Sequence, residues 1–221
     1  LVSDSSPRWS TLPTDKGDKF RIYAYAPRIE DLNTNIIEVD NISSSSFQKD
    51  YIAAVSPEIS VNMESSLRER VPLAFEHIFT AVQFKADFAC TITSISLKGI
   101  NITGSYTIGS GWTSSNSQNY TMALPPEGIQ VVEGAVIGGV PVLMIPQKLG
   151  TGASLEIKVN DGVGEKTYSV SLSGREWLPG RCITYTLKAP SDGESDDYIY
   201  FDLAAGSVFI TATGDSTKYT G

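Results

Sequence analysis

Histidine and cysteine are nearly absent from this chain: one of the first and two of the second among 221 residues. A structural zinc site closes on four ligands drawn mainly from these two residue types. Cys90, Cys182 and His77 therefore cannot make one by themselves. A Cys90–Cys182 disulfide is possible in an oxidising compartment, and the plainer expectation is two buried thiols acting as small apolar groups. Basic residues are also few, 17 Lys and Arg against 25 Asp and Glu, for a net charge of −8. Phosphate recognition needs clustered cations, and the densest run here, Arg68-Glu69-Arg70, is interrupted by an acid, so nucleic acid is excluded as a partner. Long hydrophobic runs are missing too. The longest candidate, Val131 to Leu149, is broken by glycines and prolines and falls short of the roughly 18 apolar residues that read as a membrane helix. No signal-peptide pattern opens the chain. The Ser-, Thr-, Tyr- and Gly-rich composition reads as an exported protein whose signal has been removed.

What is present is a globular β composition, 41% hydrophobic and 10% aromatic, with room for one large β domain or two small sandwiches. Phe20 to Pro27, FRIYAYAP, alternates Phe20, Ile22, Ala24 and Ala26 against Tyr23 and Tyr25 and predicts a strand. Residues 28 to 63 are polar and irregular, with apolar islands at Ile36-Ile37 and Tyr51 to Val55. Val71 to Lys85 fits helical and strand spacing alike, and Pro72 with the β-rich surroundings favours the strand. Thr91 to Leu97 alternates strictly, with Ile92, Ser94 and Ser96 on one face and Thr93, Ile95 and Leu97 on the other. A turn is expected at Lys98-Gly99 and a short strand near Tyr106 to Ile108. Gly109 to Asn119, GSGWTSSNSQN, has the composition of a linker.

Strands are expected beyond it at Ile129 to Val132, Val140 to Ile145, Ser154 to Val159, Lys166 to Leu172 and Cys182 to Leu187. The clearest unit is the hairpin SLEIKV-NDG-VGEKTYSVSL, whose Asp161-Gly162 turn supplies a positive φ. An acidic stretch, SDGESDD, precedes a last strand pair near Tyr198 to Leu203 and Ser207 to Thr213.

Groups that could carry chemistry are thin on the ground. His77 is the only imidazole, lies in an apolar segment, and has no G-x-S-x-G elbow to serve, so a hydrogen-bonded structural role is expected. Asp192, Glu194, Asp196 and Asp197 alternate like calcium ligands but lack the twelve-residue frame and closing Glu of an EF-hand, which favours a solvated linker. N-x-S/T sequons start at Asn41, Asn101 and Asn119 and matter only in a eukaryotic secretory pathway. Trp9, Trp112 and Trp177 could stack on sugars, yet each stands beside Pro, Gly or Ser, where an aromatic more often plugs the end of a sandwich. No catalytic, metal or cofactor residue is assigned, and no enzyme activity is expected.

One ordered set of residues carries a resemblance. It begins with Trp9 and Phe20-x-Ile22-Tyr23-Ala24-Tyr25-x-Pro27. Val71-x-Leu73-x-Phe75-x-His77, then Val82-x-Phe84, and Ile95-x-Leu97-x-Gly99-Ile100 follow. Leu143-x-Ile145-Pro146-Gln147 and Trp177-x-x-Gly180 with Thr184-Tyr185-x-Leu187 complete it. From about residue 9 to residue 188 the chain resembles the fimbrillin-like proteins of Bacteroidales. Each piece alone is weak; their order and spacing together are specific.

The resemblance implies an all-β fold of two tandem transthyretin-like β-sandwich domains. It places an N-terminal sandwich at 1–110, a C-terminal sandwich at 111–190, and an acidic linker with a terminal strand at 191–221. It implies a non-enzymatic subunit or accessory protein of a type V pilus, exported as a lipoprotein precursor to the cell surface, outer-membrane associated, and active in cell adhesion. Its partners would be other fimbrial subunits, and host or bacterial surface ligands are open. No cofactor is implied, and a membrane would be met only through a lipid anchor absent from this chain. Assembly in such a family proceeds by β-strand addition. Strands that usually precede the FRIYAYAP segment are missing, so the first sandwich is expected to be incomplete and to present an open edge. The final TKYTG resembles a linker into something further. Val208, Ile210 and Ala212 line one face of the terminal strand and are the expected subunit-contact residues, unless that strand closes its own second domain. The second reading is a surface lipoprotein of the same fold that binds glycans.

Overall fold

A computed structural model describes residues 19–29, 34–43, 48–60, 71–160, 164–188, 200–202 and 208–209. Every regular element among them is a strand, numbered here in chain order. The largest sheet contains β3 (Ile36–Val39), β8 (Cys90–Thr107), β9 (Gly111–Thr121), β10 (Ile129–Val131), β13 (Ser154–Asn160) and β14 (Glu165–Ser171). A second sheet contains β7 (Thr80–Ala86), β11 (Val142–Met144), β16 (Arg181–Lys188), β17 (Tyr200–Asp202) and β18 (Val208–Phe209). A third, ordered β2-β4-β6, joins Tyr23–Ala26, Ile52–Val55 and Glu76–His77. Two small pairs complete the set: β1 (Lys19–Phe20) with β5 (Ile59–Ser60), and β12 (Gln147–Lys148) with β15 (Glu176–Trp177).

β8 is the spine of the molecule. Its 18 residues pair on one edge with β9 and β10, and on the other with β13 near its start and β3 near its end. The shared edge follows from the register, since Leu97 pairs with both Tyr120 and Leu155, and Thr107 with both Gly111 and Ile36. The expected boundary at 110/111 falls in the tight turn between β8 and β9. Strands from both sides of it pair directly, as where β7 runs parallel to β16 from Ala81↔Cys182 to Ala86↔Leu187. Buried residues from Ile37 to Leu187 form one continuous apolar cluster.

Several sequence expectations are corrected at this level. The 109–119 segment is not a linker: Gly111–Thr121 is an eleven-residue strand hydrogen-bonded along β8. Lys98-Gly99 is not a turn between strands either. β8 runs through it as a bulge, with Leu97 opposite Tyr120 and Ile100 opposite Gln118. Gly99 adopts φ +63°, and a Cβ there would lie 2.5 Å from the Gly152 carbonyl oxygen, so glycine alone fits.

Strict alternation through 91–97 also fails. A second bulge separates Ile92↔Val159 from Ser94↔Lys158, leaving Thr93 as the extra residue. The parity change turns Ile92 into the same core as Ile95 and Leu97, and all three are buried. The last two strands do not pair with each other; both pair with β16.

Candidate functional site

The residues that sequence reasoning offered for chemistry are mostly scaffold. His77 sits on β6 opposite Ile52, and its Nδ1 stands 2.6 Å from Asp50 Oδ2. That contact ties the ring to a neighbouring carboxylate and leaves it as scaffold. Trp177 is buried, and its indole N–H donates to the Tyr185 hydroxyl at 2.9 Å. Trp112 donates from Nε1 to the Ile78 carbonyl at 2.7 Å and packs on Phe79 and Tyr106. Neither indole is a free platform for a sugar, and Trp9 lies outside the described residues. Cys90 and Cys182 are free thiols on different sheets, and burial pushes both above their ordinary range. Among the described residues no group of three or more His, Cys, Asp or Glu is placed to hold a metal ion, and no helix is long and apolar enough to cross a membrane. The acidic run 192–197 is outside the described residues. Of the sequons, the Asn101 amide is occupied by Ser114 Oγ at 3.0 Å.

The strand edges differ in how they are covered. β16 has β7 on its inner side, and two short C-terminal stretches cover its outer side. Lys188, Leu187 and Thr186 pair with Tyr200, Phe201 and Asp202, while Cys182 and Arg181 pair with Val208 and Phe209. The two stretches differ in register by two residues: Leu187 with Phe201 sets one frame, and Cys182 with Val208 the other. Of the three expected contact residues, Val208 is thus placed on its own chain's sheet, and Ile210 and Ala212 lie outside the described residues. β9 differs, because its outer edge carries no strand among the described residues. That edge is polar, with Thr113, Ser115, Ser117 and Gln118 exposed.

Two glutamines do what strands do elsewhere. Between the ends of β13 and β3, the β8 edge would be left open around Asn101. Gln147 fills the gap: its Oε1 accepts from the Asn101 N–H at 2.7 Å, and its Nε2 donates to the Asn101 and Ile145 carbonyls at 3.0 Å. Gln48 treats β11 in the same way, accepting from the Leu143 N–H at 2.9 Å and donating to the Leu143 carbonyl at 3.0 Å. Sequence reasoning had Gln147 as part of a motif but gave it no role, and it missed Gln48 because a lone glutamine in a polar stretch carries no local signal.

A family model described as fimbrillin-like matches residues 12–199, well over half of the chain. The chain belongs to the fimbrillin-like family. Among solved structures, this fimbrillin-like chain is similar to a protein of Bacteroides uniformis described as a candidate for cell adhesion. The TM-score is 0.57 at 14% identity, covering 87% of this chain and 73% of that one. A second of the same description, from Bacteroides ovatus, gives a TM-score of 0.54 at 17% identity and covers 95% of this chain and 74% of that one. A third, from Bacteroides thetaiotaomicron, gives 0.51 at 16% identity, covering 90% and 77%. At these identities the likeness is one of fold. No curated protein sequence matches the fimbrillin-like chain.

Proposed function

We propose that this chain is a structural subunit or accessory protein of a surface fimbria, acting in cell adhesion and joining its neighbours by β-strand addition. Membership of the fimbrillin-like family supports the general role. The observation that carries the mechanism is the outer edge of β16. A strand held on an edge by backbone hydrogen bonds is chemically indifferent to which chain supplies it. Here the covering residues come from two short stretches, Tyr200–Asp202 and Val208–Phe209, whose registers differ by two. A second copy could present the same end, with Val208, Ile210 and Ala212 in one unbroken alternating run. In this reading the protein stands at the cell surface, and its partners are other fimbrial subunits.

The same reading takes the architecture as two sandwich units of the transthyretin-like kind. One is built on β2-β4-β6 with the far half of β8, β9 and β3. The other is built on β7, β11 and β16 with the near half of β8, β10, β13 and β14. Within the continuous core the aromatic contacts group at two places along one spine: Tyr51, Phe79, Trp112 and Tyr106 cluster near the far end, while Phe84 stacks on Tyr185 near the other.

The test is assembly. Proteolytically trimmed full chain should form ordered oligomers by light scattering and electron microscopy. A chain lacking Ser207 to Gly221 should stay monomeric and take up a synthetic peptide of that sequence. Oligomers that survive the deletion, or a deleted chain that ignores the peptide, would sink strand addition through this end.

A further inference from the structure

At the pole of the molecule where β2 and β4 end and β8 turns into β9, there is a cavity of about 630 Å³. That lies within the range of about 300–1,000 Å³ typical of small-molecule sites. Its walls are rigid. The Ser56 N–H donates to the Ile22 carbonyl at 2.9 Å, the Ile22 N–H donates to Ser56 Oγ at 2.9 Å, and that hydroxyl donates onward to the Pro57 carbonyl at 2.8 Å. Across the cavity the Ile108 N–H donates to the Asn35 carbonyl at 2.8 Å and the Ser110 N–H closes the turn on Thr107 at 2.9 Å. These bonds tie both sides of the cavity to the neighbouring backbone. The polar groups left to meet a ligand are side chains: Arg21, Asn35, Ser110 and the Tyr23 hydroxyl.

Two features give this cavity a chemical preference. First, in a protein of net charge −8, the lining includes one arginine and no carboxylate among the described residues. Glu58 is engaged by Lys19 at 2.6 Å and feels the Arg21 charge only weakly beside it, so most of that charge is left for the cavity. That guanidinium, the one cation among the described lining residues, meets a carboxylate through two parallel N–H donors. Second, Tyr23 is 44% exposed, an unusual state for an aromatic in a well-packed β protein. Its ring lies against the β8–β9 turn: a Cβ built on Gly109, at φ +90°, would lie 3.1 Å from Val55 Cγ2 and 3.4 Å from Tyr23 Cε1. A half-exposed ring is a platform for the apolar face of a pyranose, and an amide and a hydroxyl beside it match sugar hydroxyls.

We propose that this cavity binds an acidic sugar unit, its carboxylate on Arg21, its apolar face on Tyr23, and its hydroxyls on Asn35 and Ser110. The site is separate from the β16 edge and does not depend on strand exchange. It also differs from the tryptophan-based glycan reading, since both described indoles are committed to the core.

Calorimetric titration of the full chain tests it, with sialyllactose and trigalacturonate as acidic probes, lactose as the neutral one, and triglycine as a free peptide carboxylate. At least one acidic saccharide should saturate the protein while lactose and triglycine do not. Arg21→Gln should weaken that binding about ten-fold or more. Tyr23→Ala should do the same, and Tyr23→Phe, which keeps the ring, should retain most of it. Arg21 is exposed, so R21Q should melt like the parent. This guards against loss of binding through misfolding. Silence from both acidic probes, equal binding of lactose, binding of triglycine in their place, or an R21Q variant that binds as the parent does would each overturn the assignment.

Discussion

β16 and β9 each have one long hydrogen-bonded neighbour inside a sheet, yet among the described residues only β16 has its outer edge covered. The difference tracks their side chains. β16 buries Ile183, Tyr185 and Leu187 and leaves none of its residues fully exposed, so an open edge there would put main-chain donors and acceptors beside apolar surface. β9 buries only Tyr120, and most of its other side chains face solvent. Serine, threonine, asparagine and glutamine keep water on that edge, and Asn116, with φ +63°, breaks its flatness. Both devices discourage edge-to-edge association. An apolar edge in this fold requires a covering strand, and a polar one can stand open.

The largest expected effect comes from uncovering the first edge. Ending the chain at Lys188 removes five described residue pairs on β16. At about 0.5–1.5 kcal/mol for each net hydrogen bond, a loss of about 3 kcal/mol or more is expected. In a chain of this size that corresponds to a melting temperature lower by about 6–12 °C, read by calorimetry. An unchanged Tm would mean that β16 needs no cover, and the contrast with β9 would collapse. Next in size is Gly99→Ala. It forces a Cβ against the Gly152 carbonyl at a positive φ and disturbs the bulge that sets the register of β9 on β8. A cost of about 2–3 kcal/mol in urea unfolding is expected. A neutral G99A would show that β9 is held without the bulge.

These effects also mark where the sequence could be read and where it could not. The pairing of Ser154–Asn160 with Glu165–Ser171 was legible because alternation and an Asp-Gly pair are local signals, although Asp161 and Gly162 themselves lie outside the described residues. The β8 bulges were not, because an extra residue is defined only against a partner strand. Counting parity along Thr91 to Leu97 put Ile92 on the wrong face. Gly99 did give a signal, but a positive-φ glycine reads equally as a turn or a bulge. Composition misread Gly109 to Asn119 as a linker, since its strand character comes from eleven residues lying along a long neighbour and not from its own side chains. The candidate site was harder still. Arg21, Tyr23, Asn35 and Ser110 are scattered in sequence and meet only because the β8–β9 turn returns to the ends of β2 and β4.

Smaller effects separate side-chain cover from strand cover. Gln147→Leu keeps the volume but leaves the Asn101 N–H and carbonyl without their partner, at a cost of about 1–2 kcal/mol. Hydrogen exchange should rise at Asn101 while the amides paired with β13 stay protected. Uniform loss of protection would mean that the glutamine holds the whole sheet and not a gap in it. The Ser115→Val, Ser117→Val double variant acts on the open edge. Both serines are exposed, so stability should change by no more than about 0.5 kcal/mol. The variant should nevertheless associate in a concentration-dependent way that the parent does not show, because its edge has lost the polar side chains that kept it solvated. A monomeric variant would place the protection in Asn116 and the twist instead.

The finest comparison is between the buried phenols of the two strands. Burial raises the pKa of Tyr120 on β9, and burial also raises that of Tyr185 on β16, where the Trp177 hydrogen bond works in the opposite sense. In the unfolded chain both ionise near about pH 10. Above that value the unfolded state has lost protons that the folded state retains, so stability falls as pH rises. It is fully present below the unfolded pKa and lost as pH climbs through the folded one. The melting temperature should therefore be unaffected by these groups at neutral pH and should decline from about pH 10 upward. Tyr120→Phe should make that decline shallower without changing the neutral value, since among the described residues its hydroxyl makes no hydrogen bond comparable to the Trp177–Tyr185 contact. Tyr185→Phe should instead lower stability at every pH, because it leaves the Trp177 N–H without its acceptor. Identical behaviour of the two variants would mean that the strands differ in their edges alone and not in how their cores are built.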